Sequence, residues 1–171
     1  PMNQCCIRKF RITIHDRDAF LQLVRDLSQP QGVHIILFDA DQMAGRAHAE
    51  SAIAHAFRAF EQGHQISNSV EMEALLYAAG SRQCIQGARF GVHPGINRTY
   101  LCICPPNQGV WEELQRSGED CSDEDWELCS DEKISLLKGI FGITEEELAL
   151  VGTGRLQDLV LERVALLEVY R

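Results

Sequence analysis

The chain has 171 residues, 45% of them aliphatic, aromatic or cysteine, which fits one domain with a real core. No run approaches the roughly 18 apolar residues of a membrane span, so no membrane association is expected and a cytoplasmic protein is. The formal net charge of −9 argues against nucleic acid, but only as an average.

Residues 112–147 carry thirteen acidic against three basic groups, a balance of −10, whereas residues 45–111 carry five Arg against four Glu and four of the six His. The acidity therefore belongs to one segment. The first residues lack the apolar stretch of an export signal, and Pro1 before Met2 reads as a cleavage scar. The seven cysteines are then expected to be reduced thiols.

In chain order, Cys6 to Ile14 alternates with Phe10, Ile12 and Ile14 on one side, the pattern of a half-buried strand. Asp16 or Asp18 caps a helix with Phe20, Leu23, Val24 and Leu27 at helical spacing, stopped at Pro30-Gln31-Gly32. Val33 to Asp39 is a buried strand, so the opening is a crossover with two parallel strands. Ala49, Ala52, Ile53, Ala56, Phe57 and Phe60 stripe the next helix, which Gly63 ends. After the polar turn HQISNS, Asn68 or Ser69 caps a second helix with Met72, Leu75, Leu76 and Ala79 inward. Gly80 ends it, and Ser81 caps a third, from Arg82 to Phe90. A strand is expected over Thr99 to Cys104, and a helical turn at Trp111 and Leu114. An acidic surface loop follows over 117–131, then helices over 131–141, Thr144–Val151 (Thr144 and Glu147 as a capping box) and 156–170. The expected fold is one α/β (α+β) domain over 1–171, a small mixed sheet of three to five strands packed with six to eight helices.

Catalytic motifs are missing: the sequence has no Walker loop, Rossmann fingerprint or nucleophile elbow. Cys102 and Cys104 share a strand face and lack zinc spacing. His48 and His55, seven apart, make a poor metal pair. No catalytic residue, metal or cofactor is expected. His48, Ser51, His55, Arg58 and Gln62 mark a polar helix face, for which an ordinary solvated surface is the simplest reading. The turn at 64–69 leads into a helix N-terminus, and Ser81-Arg82-Gln83 opens another. Backbone N–H groups and helix dipoles at both suit an anion such as the phosphates of a single-stranded nucleotide end.

The segment AGRAHAESAIAHAFRAFEQGHQISNSVEMEALLYAAGSRQCIQGARFGV resembles the accessory-subunit family of the KEOPS complex that includes the PRPK-binding (TPRKB-type) proteins, in particular archaeal members. The matching elements are the A-G-R-x-H opening, the A-x-R-A-F-x-x-G helix end, the I-S-x-S turn, the E-x-L-L-Y helix and the G-x-R-Q step. The resemblance implies a non-catalytic subunit of the complex that makes threonylcarbamoyl-adenosine on tRNA. Such a subunit binds the kinase-like ATPase subunit, supports its activity, and recruits tRNA by its single-stranded 3′ CCA end. It meets the other KEOPS subunits indirectly, and a homodimer of the isolated chain is left open. Carried over by motif, the RNA-facing candidates are His64, Ile66, Ser67, Ser69, Tyr77, Gly80, Arg82 and Gln83, with Arg58 from the preceding helix. The last helix is apolar on two faces, Leu156, Val160, Val164 and Leu167 on one and Leu159, Leu166 and Tyr170 on the other. Leu159, Arg163 and Leu166 are the partner-facing candidates. A protein-interaction module without RNA contact is the alternative, and a cysteine or metal enzyme the least favoured reading.

Overall fold

A computed structural model describes residues 5–127 and 129–169. Pro1, Met2 and Tyr170 lie outside the described residues. β1 (Cys6–Ile14) buries Phe10, Ile12 and Ile14 on one face and Ile7 on the other, as its alternation requires. α1 (Arg17–Ser28) starts where Asp16 accepts a hydrogen bond from the Ala19 N–H. Val24 is buried, but Leu23, expected in the same stripe, is 52% exposed.

β2 (His34–Asp39) lies parallel to β1 without touching it. β3 (Gly95–Cys104), which begins before the expected Thr99, pairs antiparallel with both and sits between them. The sheet order is β2-β3-β1-β4, and every ladder is antiparallel. α2 (Arg46–Glu61), α3 (Val70–Ala79) and α4 (Cys84–Ala88) follow in series, and the close fit of α4 on α3 needs Gly87, where an added Cβ would stand 3.0 Å from Leu76. α5 (Gln108–Gln115), capped by Asn107, packs with α1 on the face of Phe10 and Ile12. α6 (Asp131–Phe141), α7 (Glu145–Val151) with its Thr144–Glu147 capping box, and α8 (Leu156–Val169) join α2 and α3 on the opposite face. Eight α-helices and four strands are thus present among the described residues. None of the helices is long and apolar enough to cross a membrane.

Two expectations need correction. The acidic stretch is not simply a solvated loop. β4 (Gly118–Asp120) pairs with β1, and the Cys121 N–H donates to the Lys9 carbonyl at 2.9 Å. Cys121 and Trp126 are buried, Trp126 edge-on to Tyr100 at 5.8 Å and beneath the Arg98 guanidinium at 4.6 Å. Nor are all seven cysteines thiols, because Cys5 and Cys104 form a disulfide. The β1–β3 register sets Cys6 opposite Ile103, which brings Cys5 to Cys104 with 4.4 Å between Cα atoms. Burial pushes the Cys102 thiol far up, leaving it an unreactive apolar side chain.

Candidate functional site

The A-G-R-x-H opening builds an internal latch. Gly45 has φ +95°, and a Cβ there would fall 2.0 Å from a Glu127 carboxylate oxygen. That carboxylate accepts the Arg46 N–H at 3.1 Å, capping the start of α2. The Ala44 N–H donates to His48 Nδ1 at 3.0 Å, and His48 Nε2 donates to the Ala78 carbonyl of α3 at 2.9 Å. His48 is fully buried, and burial pushes its pKa down to about 4, so it stands neutral. This corrects its expected place on a polar face. His55 and Arg58 on that face are also engaged, while Gln62 is exposed. His55 stacks on Tyr77 with ring centroids 5.0 Å apart and meets Glu168 of α8 at 2.7 Å. Arg58 reaches the same carboxylate at 3.0 Å.

The turn before α3 is organised around a carboxylate of its own. Glu73, fully buried, accepts the N–H groups of Ile66 and Ser67 at 2.9 and 2.8 Å and the Ser67 hydroxyl at 2.7 Å. Ser69 caps α3 by accepting the Met72 N–H at 3.1 Å. The Ile66, Ser67 and Met72 N–H groups of this turn are therefore engaged inside the protein. At the other end of α3, Gly80 closes the helix at φ +62°. The expected third helix shrinks to the five residues of α4, with Ser81 Oγ accepting the Gln83 N–H at 3.1 Å.

Three shallow depressions run side by side past these turns. His64, Ile66 and Arg82 share the first, about 430 Å³, with Glu168 at its rim. Gly80, Arg82 and Gln83 line the second, about 530 Å³, together with Ile140, Arg163 and Leu166. The third, about 710 Å³, continues from Gly80 to Leu136 and Arg89. The RNA-facing and partner-facing candidates thus meet at the step from Gly80 to Gln83. Ser67 and Ser69 lie half-buried within the turn, Tyr77 is buried completely, and Arg58 stands over Glu168. Leu159 is 7% exposed and belongs to the core. Arg163 braces α8 against α6 and α7, donating to the Phe141 carbonyl at 3.2 Å and to Glu147 at 2.6 Å. Leu166 remains at the surface, with Leu136 and Ile140 nearby as exposed apolar side chains.

The profile of kinase binding protein CGI-121 matches residues 17–168, every α-helix of the fold nearly to the end of α8. The chain belongs to the CGI-121 family. No curated protein matches it. Sequence reasoning missed Glu73 although it begins the E-x-L-L-Y element. The available signal was a carboxylate four residues after the Ser69 cap, three before Leu76 and four before Tyr77, hence on a buried side of α3. No group of three or more His, Cys, Asp and Glu residues suited to a metal occurs among the described residues.

Proposed function

We propose that this protein is a kinase-binding, non-catalytic subunit of the KEOPS tRNA-modification complex, acting in the cytoplasm. It docks the kinase-like ATPase subunit, supports its activity and recruits tRNA by the 3′ CCA end. The observation that carries the reading is membership of the CGI-121 family across residues 17–168. The docking surface in this reading is the exposed apolar group Leu136, Ile140 and Leu166 beside Gly80. The RNA end lies against His64, Ile66, Arg82 and Gln83. Ser67, Ser69 and Glu73 act there by shaping the turn rather than by touching RNA, and Tyr77 by supporting α3 from within.

A gel shift tests the RNA half. Intact tRNA is expected to bind more tightly than tRNA lacking its terminal CCA, with affinity falling as salt rises. Equal binding of both RNAs, or an Arg82→Glu variant that binds like the parent, contradicts it. A second reading, a protein-interaction module without RNA contact, draws on the Glu73 carboxylate that already holds the turn's donors and on the net charge of −9. Under that reading neither RNA shifts.

A further inference from the structure

β2 is the last strand of the sheet, covered on one side by β3. In an antiparallel strand the N–H and C=O of alternate residues point to opposite neighbours. Two bonds fix the parity. The Val33 N–H donates to Ser28 O at 3.2 Å and the Asp39 N–H donates to Phe90 O at 2.7 Å, both on the side away from β3. Ile35 and Leu37 lie between them at the same parity, so their N–H and C=O groups also turn outward. Among the described residues neither has a backbone partner on that side. Backbone N–H and C=O groups in such a position are open to pairing with another chain. Sheet edges are usually blunted by lysine, proline or a bulge, and the HIILFD segment has none of these.

The edge forms the floor of a cleft of about 580 Å³ between the two helical layers. α1 supplies one wall with Leu21, Val24 and Arg25, and α3 supplies the other with Met72 and Leu75. The size falls in the range of about 300–1,000 Å³ usual for ligand sites. Charge differs between the walls. Glu71 on the α3 side is hydrogen-bonded to His34. On the α1 side Arg17 and Arg25 stand at the cleft, with Arg17 donating to the Val92 carbonyl at 3.0 Å and loosely paired with Asp18 at 3.8 Å, and Gln22 bonded to Arg25. Each guanidinium has five N–H donors, more than these contacts use.

We infer that this cleft receives an extended segment of a partner protein as a fifth strand on β2, with apolar side chains toward α3 and acidic ones toward α1. An added strand pairs its backbone with Ile35 and Leu37, while the two-residue alternation sends neighbouring side chains to opposite walls. The cleft shares only Ser69 with the candidate RNA residues, so the inference stands apart from the proposed function.

The test uses the whole chain and a dye-labelled peptide of five alternating valines and glutamates, blocked at both ends. Saturable binding is expected. The amide protons of Ile35 and Leu37 should gain protection from hydrogen exchange while that of Ile36, already bonded to β3, is unchanged. An N-methylated version of the peptide should not bind, and Arg25→Glu, checked for an unchanged unfolding midpoint, should weaken binding roughly tenfold. Absence of binding, or equal binding of the N-methylated peptide, overturns the inference. So does protection of the two amides that rises with protein concentration alone, which would assign the edge to a second copy of this chain.

Discussion

Glu73 holds three donors of one turn inside the protein, and His48 joins two segments through opposite edges of one ring. Replacing Glu73 by Ala leaves those donors buried and unpaired, and a loss of about 3 kcal/mol is expected in chemical denaturation. A loss below about 1 kcal/mol would show that water replaces the carboxylate. His48 makes stability depend on pH. Its folded value of about 4 lies below the 6.5 of an exposed imidazole, so the neutral form favours folding. The contribution is complete above pH 6.5 and fades as pH falls toward 4, about 2 kcal/mol of it between pH 7 and 5. His55, pushed down by burial, acts in the same sense. His34, raised by its hydrogen bond to Glu71, opposes them, since its contribution is full at low pH and lost as pH rises. His48→Gln keeps an acceptor and a donor on the side chain, and should flatten the fall of the unfolding midpoint between pH 7 and 5. An unchanged slope would place the titration elsewhere.

At the level of elements, apolar periodicity located the longer helices and three of the four strands. By contrast, α5 was expected only as a helical turn, and the third helix, placed by a cap and not by a stripe, is shorter than expected. The Thr144 capping box reads correctly, and Asp16 and Ser69 are each one of the two caps expected, since capping depends on side chains close in sequence. However, α4 starts after Gln83 rather than at a Ser81 cap. What sequence could not supply was long-range. β4 is three residues held by β1 more than a hundred positions earlier, and Cys5 meets Cys104 only through strand register. The same holds for the site. The residues of the turn and the Gly80 step were legible as motifs, but which of them face outward depends on α8. That helix takes up His55 and Arg58 through Glu168, and Arg163 ties it to α6 and α7. Trp126 anchors the acidic stretch, so Trp126→Ala should cost about 3–5 kcal/mol, as for a core aromatic. A negligible change would return that stretch to the status of a surface loop.

The whole molecule divides into a sheet with α1 and α5 on one face and the remaining helices on the other. The second face carries both halves of the proposed function, RNA at the Arg82 depression and the kinase at the apolar group around Leu166. In that proposal, their proximity at Gly80 to Gln83 gives a physical route by which tRNA capture and kinase docking would influence one another. Kinase docking is the more basic of the two, because family membership itself bears on it. It is measured by titrating the purified chain into the KEOPS kinase-like ATPase subunit in a calorimeter. A saturable one-to-one complex is expected, weakened by Leu166→Asp in a variant that keeps its unfolding midpoint. No heat and no co-elution at micromolar concentrations of both proteins would contradict the account.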